Sequence, residues 1–159
     1  MLLGVMSDSH DNLGRIREGL RRLREAGADV LLHAGDFVAP FALKEILKFE
    51  GTVYAVFGNN DGERAGLRSL LPDLEEGPRR VELGKRRITL LHDEQEMRKR
   101  DLRRSDLIVI GHSHHPEIRQ GKPLIVNPGE CGGWLTGKST VATVDTETLE
   151  VKLIELGGR

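Results

Sequence analysis

Cysteine is almost absent from this chain: Cys131 stands alone among 159 residues, so no intrachain disulfide can form. An excess of charge of one sign is missing as well, because 24 Lys and Arg face 25 Asp and Glu. The broad positive field that would hold a nucleic-acid backbone or an anionic membrane is therefore lacking, and bulk nucleic-acid binding is not expected. Long apolar runs are missing too: pieces such as Leu107–Ile110 fall far short of the roughly 18 residues that suggest a membrane span. Met1–Met6 is too short, and lacks the basic leader, to be a signal peptide. These absences predict a soluble protein in a reducing, cytoplasmic setting with no membrane partner. No internal repeat, low-complexity tract or linker marks a boundary; Glu75-Glu76-Gly77-Pro78 is the one candidate break and reads better as an exposed turn. With 38% apolar and 31% charged residues the composition is ordinary for a globular chain, and the length predicts a single domain over residues 1–159.

What the sequence does have is alternation. Met1–Met6 reads as a buried strand running into the polar stretch Ser7-Asp8-Ser9-His10-Asp11-Asn12. Asn12 can cap a helix with Leu13, Ile16, Leu20 and Leu23 on one face, ended by Gly27. Asp29–His33 is a second strand, ending in Ala34-Gly35-Asp36, and Pro40 suits the first turn of a helix that reaches about Phe49. Thr52–Phe57 is a third, ending in Gly58-Asn59-Asn60-Asp61, followed by a helical stretch to about Leu71 before Pro72. This βαβαβα order predicts an α/β fold, with a largely parallel sheet, helices packed on it, and ligands at the carboxyl ends of the strands. The second half reads as a hairpin (Arg80–Leu83 and Arg87–Leu91 around Gly84-Lys85) and a helix over Gln95–Leu102. Four further strands follow at Leu107–Ile110, Leu124–Val126, Thr140–Asp145 and Val151–Leu156, with antiparallel or mixed pairing expected.

Asp8-Ser9-His10, Gly35-Asp36, Gly58-Asn59-Asn60-Asp61, Leu91-His92 and Gly111-His112-Ser113-His114 each follow an apolar run, so all five can converge on one sheet edge. Singly, each is common turn chemistry; jointly they offer as donors the carboxylates Asp8 and Asp36, four imidazoles and the amide of Asn59. Oxygen and nitrogen donors without thiolate speak against a structural zinc cage and for a catalytic centre of borderline divalent ions such as Mn²⁺, Fe²⁺, Ni²⁺, Co²⁺ or Zn²⁺. These donors exceed the needs of one ion, and a carboxylate can bridge two ions about 3.5–4 Å apart; Asp36 is the candidate bridge. A water shared by such a pair loses a proton near neutral pH and becomes a nucleophile, so phosphoester hydrolysis is the natural reaction.

These five blocks, in this order, resemble the calcineurin-like metallophosphoesterases over nearly the whole chain. The short length, Asn60 and the Asn127-Pro128-Gly129-Glu130-Cys131 segment make the chain most similar to the small prokaryotic phosphodiesterases of the YfcE/MJ0936 type. The resemblance implies a four-layer α/β/β/α sandwich with mixed sheets, and a divalent-metal-dependent phosphodiesterase with a dinuclear site at the sheet edge. It implies that Asp8, His10, Asp36 and His114 hold one metal, and Asp36, Asn59, His92 and His112 the other. Manganese is expected first, with Ni, Fe, Co or Zn tenable. Asp36 and Asn59 become the catalytic residues; Asn59, Asn60 and His115 face the substrate; Asp61 stands behind the ligands; and a homodimer or homotetramer is expected. Two departures stand out. Larger relatives carry a His in the third block where this chain has Asn60, so no imidazole there can protonate a leaving group, and activated aryl diesters should react better than alkyl monoesters. The fourth block reads His92-Asp93-Glu94 where many relatives read His-Gly-His, which sets two potential negative charges near an anionic substrate.

Other conspicuous residues have ordinary explanations. His33 reads as a core or supporting histidine, and Cys131 as a small buried residue near the site. The Arg-rich first helix, with Glu18 and Glu25 interleaved, reads as a solvated face, and Lys138 as part of a turn. Trp134, in its Gly-rich loop, either covers the site or packs in a subunit contact. Two other functions stay open: a phosphomonoesterase of the same fold, and a binding module like the vacuolar-sorting (retromer) scaffold subunit, which resembles this fold but has lost ligands. No ligand position is lost here.

Overall fold

The structure, a computed structural model, describes residues 1–157. Its first half alternates as the sequence predicts: β1 (Leu2–Met6), α1 (Leu13–Glu25), β2 (Val30–His33), α2 (Pro40–Ile46), β3 (Thr52–Ala55) and α3 (Arg64–Leu70). Asn12 caps α1, its side chain accepting from Arg15 N at 3.2 Å. β1, β2 and β3 pair in parallel, Met6 beside His33 and His33 beside Ala55, so all three leave the sheet on one edge. The second half contributes β4 (Arg79–Leu83), β5 (Arg86–Leu90), a 3₁₀ turn at Glu94–Glu96, α4 (Lys99–Arg104), β6 (Leu107–Val109), β7 (Pro116–Arg119) and β8 (Leu124–Pro128). These strands form a second sheet in the order β4-β5-β6-β8-β7, in which β5, β6 and β8 are parallel and β4 and β7 are antiparallel edges. β9 (Ser139–Asp145) and β10 (Val151–Leu156) return to the first sheet as an antiparallel pair beside β1, in the order β10-β9-β1-β2-β3. Both sheets are mixed, as expected.

β1 and β2 of the first sheet are buried on both faces, which is why they read as continuous apolar runs rather than as alternation. Leu3, Val5, Val30 and Leu32 point into a layer shared with Ile88, Leu90, Leu107, Val109, Leu124 and Val126 of the second sheet. Their chain neighbours Met6 and Leu31 point the other way, against Ile16, Leu20 and Leu23 of α1 and Leu43 and Ile46 of α2. Gly19 lets α1 lie flush on the sheet, since a Cβ there would stand 2.8 Å from Met6 Cε and 3.2 Å from Val141 Cγ1. On the outer face of the second sheet Leu91, Ile108 and Ile110 are covered by Met97 and Ile125, and the short α4 is tied to β4 by the Arg80–Asp101 ion pair. The layers run α/β/β/α, the fourth being thin.

The structure departs from the sequence reading at three elements. α2 stops at Ile46, and Leu47–Phe49 continue in tight turns through Lys48 N to Glu45 O and Phe49 N to Ile46 O. The helix expected over Gln95–Leu102 is broken: Met97 and Arg98 are extended, and α4 starts only at Lys99. Asp93 accepts from Gln95 N at 2.9 Å and Asp101 from Arg98 N at 2.9 Å, so side chains satisfy the amides that a continuous helix would use. β7 was not expected at all. It begins with Pro116 and carries one apolar residue, Ile118, a composition suited to an exposed sheet edge but invisible to a search for apolar runs.

Arg17 of α1 and Lys48 both reach Glu45 of α2, at 2.9 and 2.8 Å. These partners hold the Glu45 carboxyl down to about 2, from 4.5. A carboxyl whose folded pKa is depressed adds stability above its unfolded pKa and loses it as the pH falls through the folded value. Replacing Glu45 by Gln is therefore expected to lower stability at neutral pH by about 1 kcal/mol or less, its Arg17 and Lys48 partners being exposed. The gap between the two proteins should close between about pH 4.5 and pH 2. Urea midpoints at both ends of that window check it, and a gap that survives at the acid end would contradict it.

Candidate metal centre

All six parallel strands end on one rim, and each delivers a polar loop there. Asp8 and His10 follow β1, Asp36 follows β2, and Asn59, Asn60 and Asp61 follow β3. From the second sheet come His92 after β5, His112 and His114 after β6, and Glu130 after β8. The loops are stitched across the sheets: His112 N donates to Asp8 Oδ2 (3.1 Å), His92 Nδ1 to Ala34 O (2.8 Å), Cys131 N to Ser7 O (2.9 Å) and Gly132 N to Asp8 O (3.0 Å). Five residues of the cluster sit in the left-handed backbone region: Asp8 (φ 51°), His10 (40°), Asp36 (61°), His112 (68°) and His114 (64°). Such conformations cost on the order of 1–3 kcal/mol each and persist only where the surroundings over-determine them, which is common at functional sites.

Asp36 occupies the middle. Its Oδ2 lies 3.3 Å from His10 Nε2 and 3.5 Å from His92 Nε2. On one side His10 and His114 stack with ring centroids 5.1 Å apart, His114 Nε2 standing 3.5 Å from Asp8 Oδ1. On the other side His92 and His112 meet edge to face, also at 5.1 Å, with Asn59 Oδ1 at 2.8 Å from His92 Nε2 and 3.1 Å from His112 Nδ1. The arrangement is two imidazole pairs around one carboxylate.

The lone pairs of this cluster fit a divalent cation. Asp8 Oδ2 is saturated by Ser7 Oγ (2.6 Å) and His112 N, whereas Asp8 Oδ1 and His10 Nε2 are buried without a hydrogen-bond partner. His92 donates its Nδ1 proton to Ala34 O, which turns its Nε2 into the cluster, between the acceptors Asn59 Oδ1 (2.8 Å) and Asp36 Oδ2 (3.5 Å) and 3.3 Å from His112 Nδ1. Buried acceptors turned on one another are unfavourable unless positive charge lies among them. The electrostatics agree. Burial pushes the Asp8 carboxyl up, and the Asp36 carboxylate beside His10 pushes that imidazole up. Burial alone would also raise Asp36, but His10, His92 and two donors from Asn60 outweigh it and hold that carboxyl well below the usual range.

Behind the donors stands a set of buried supports. Asp61 accepts three backbone N–H groups, from Asp36 (2.9 Å), Gly58 (2.7 Å) and Val38 (2.8 Å), and so ties the β2 loop to the β3 loop. His33, pushed down to about 3 by burial and therefore neutral, accepts from Gly35 N (3.2 Å) and faces Ser9 Oγ (3.2 Å). Asn127 holds the histidine loop after β6, donating to Gly111 O (2.9 Å) and Ser113 Oγ (3.0 Å). Glu130 accepts from His114 Nδ1 at 3.0 Å; burial would raise it, but hydrogen bonds from His114, Thr136 and Leu135 hold it at about 2. The sequence reading assigned no role to Glu130 or Asn127. The signal was present, since Leu124–Val126 is an apolar strand followed by a polar loop like the other five.

Several expected contacts are arranged otherwise than the sequence suggested. Asn60 donates both its backbone N–H and its Nδ2 to Asp36, each at 2.8 Å, so its carboxamide already has a partner. Of the two acids after His92, Glu94 pairs with Arg119 at 2.6 Å, and only Asp93, 3.7 Å from His112 Nε2, faces the cluster. His115 is exposed, and among the described residues its ring makes no hydrogen bond to the cluster. Cys131 is buried and its thiol is pushed up to about 12 by that burial, so it stays protonated near neutral pH. Trp134, 66% exposed, is fixed over the β1 loop by its Nε1–H, which donates to His10 O at 3.0 Å.

Fold, rim and donor set together define a class, and comparison with known proteins names it. Residues 1–149 match the calcineurin-like phosphoesterase superfamily domain, and the chain belongs to that superfamily. It is a metal-dependent phosphoester hydrolase working with divalent ions. Among particular relatives, Phosphodiesterase MJ0936 of Methanocaldococcus jannaschii is 33% identical over 165 aligned residues, covering 98% of this chain and 99% of that one. A solved archaeal phosphodiesterase superposes with a TM-score of 0.90 at 33% identity, over 98% of this chain and 100% of that one. A variant of Vps29 (vacuolar protein sorting 29) from Entamoeba histolytica superposes at 0.70 with 16% identity, over 99% and 100% of the two chains, a likeness of fold alone. The resemblance read from five short blocks is borne out.

Gly58 is the tightest point of the rim, because a Cβ there would collide with the Asp36 carboxylate and backbone N. Gly58→Ala is expected to push Asp36 off centre and weaken Mn²⁺ binding by about 10- to 100-fold, the usual effect of disturbing what orients a ligand. Calorimetric titration of the chelator-stripped variant reads this directly, and wild-type affinity would contradict the placement of Asp36.

Proposed function

We propose that this chain hydrolyses phosphodiesters at a dinuclear divalent-metal centre. In this reading Asp8, His10, Asp36 and His114 hold one ion, and Asp36, Asn59, His92 and His112 the other. Mn²⁺ comes first among Mn²⁺, Fe²⁺, Co²⁺, Ni²⁺ and Zn²⁺, all of which suit oxygen and imidazole donors. The supporting observation is the pair of buried, unpartnered atoms Asp8 Oδ1 and His10 Nε2, in a cluster where Asp8, His10 and His114, and likewise Asp8, Asp36 and His92, bring ligand atoms close enough to share an ion. When bound, the ions supply Lewis acidity that lowers the pKa of water and offsets charge on a phosphoryl oxygen.

The chain's own residues account for orientation and preference. Asp36, flanked by both imidazole pairs, can serve the two halves with one carboxylate. Asn59 turns its Oδ1 toward His92 and His112, which leaves its Nδ2–H₂ to donate to a phosphoryl oxygen. Asn60 has committed its amide donors to Asp36 and carries no acidic proton, so this position offers nothing to a departing alkoxide. That favours leaving groups able to depart as anions. Asp93 adds to the preference: a monoester brings two negative charges near neutral pH and a diester one, and a carboxylate beside His112 repels the former more. His115, exposed one residue beyond His114, is the candidate for contact with the distal part of the substrate. The relative's description as a phosphodiesterase supports the same reading.

Chelator-stripped protein given back Mn²⁺ is expected to hydrolyse bis-p-nitrophenyl phosphate faster than p-nitrophenyl phosphate. Asp36→Ala should abolish turnover and lower metal content. Equal or inverted rates would favour a phosphomonoesterase, and silence with every ion, in folded protein that still binds Mn²⁺, would favour a binding module. Asn60→His is expected to raise the monoester rate about 10-fold or more by supplying an acid. No change would mean that protonation of the leaving group does not limit the rate.

A further inference from the structure

Glu130 is fully buried, and its carboxylate is the hub of one corner of the site. His114 Nδ1 lies 3.0 Å from Oε2, which also accepts from Trp134 N at 3.0 Å. Leu135 N reaches both oxygens, at 3.1 and 3.3 Å, and Thr136 gives its N–H (2.5 Å) and its Oγ1–H (2.7 Å) to Oε1. A carboxylate surrounded by N–H and O–H donors can only accept, so His114 must present its proton at Nδ1. The opposite nitrogen, Nε2, is thereby left as an acceptor, aimed at the unpartnered Asp8 Oδ1 3.5 Å away.

We propose that Glu130 is a positioning residue for cation binding: it fixes the tautomer and ring orientation of His114, and so the affinity of the Asp8–His10–His114 corner. The inference rests on the proposed metal centre and adds to it a residue that touches neither ion nor substrate. A carboxylate on the far nitrogen also makes an imidazole a stronger donor, and its loss commonly weakens metal binding by about 10- to 100-fold. The same carboxylate anchors the loop that carries Trp134.

The probe is Mn²⁺ alone, titrated calorimetrically into chelator-stripped protein. Glu130→Gln keeps the shape but leaves one accepting oxygen and no charge, and should weaken Mn²⁺ binding by about 10- to 100-fold. Combining it with His114→Ala separates positioning from mere loop support. With the imidazole gone, Glu130→Gln should change affinity by less than about twofold, because residues acting through one another are not additive. A full loss that persists in the His114→Ala background, or unchanged affinity in Glu130→Gln, overturns the proposal. Should the variant fail to fold, ¹⁵N-histidine NMR of the wild-type protein decides: a proton on His114 Nδ1 is expected, and a ring protonated only at Nε2 overturns it. Failure of wild-type protein to bind Mn²⁺ at all would instead sink the metal centre itself, a distinct result.

Discussion

The apolar layer between the two sheets sets the distances in the donor cluster. Leu3, Val5, Val30 and Leu32 on one side and Ile88, Leu90, Leu107, Val109, Leu124 and Val126 on the other share that layer, and close packing leaves the sheets no freedom to slide. Six parallel strands therefore end on a common rim, three from each half of the chain. Residues 104 positions apart then bond directly, as His112 N does to Asp8 Oδ2. Neither half holds a full donor set: the first brings the carboxylates, one imidazole and the amide, the second the remaining imidazoles.

Holding that rim together is unfavourable in itself. It gathers buried carboxylates, bare imidazole nitrogens and left-handed non-glycine residues, each of which opposes folding when taken alone. The compensation is visible atom by atom. The buried acids are partly satisfied by donors of the chain: Asp8 Oδ2 by Ser7 and His112 N, and both oxygens of Asp36 by the Asn60 donors. Asp61 and Glu130 are satisfied entirely by surrounding donors, and each braces two loops at once. Within this rim the atoms left unsatisfied, Asp8 Oδ1 and His10 Nε2, face the centre, where a cation is the natural complement.

The departures from the larger family pattern also gain physical meaning. Asn60, standing where larger relatives carry an imidazole, braces Asp36 and so trades an acid for a support. The pair Asp93 and Glu94, which look alike in the sequence, are separated by their partners: Arg119 neutralises Glu94, while Asp93 caps a turn and keeps a face toward His112.

Much of this was legible in the chain. Apolar runs announced β1, β2, β3, β6 and β8, and the Gly, Asp, Asn and His clusters behind them announced the rim, because strand ends and turn residues follow local rules. Two elements lacked a local signal, and one contact lay beyond any local rule. β7 is an edge with one apolar residue, the helix near Gln95 is broken by side chains that cap its amides, and Glu130 meets His114, 16 positions before it, only once the chain between them has folded back. The sequence by itself determined the element order, the α/β class and the types of donor available. Only the tertiary structure decided which lone pair faces inward, which acid is neutralised and which carboxylate holds which imidazole. Those choices depend on the three-dimensional approach of groups far apart in the chain, and a hydrogen bond or ion pair exists only within a few tenths of an ångström of its proper length.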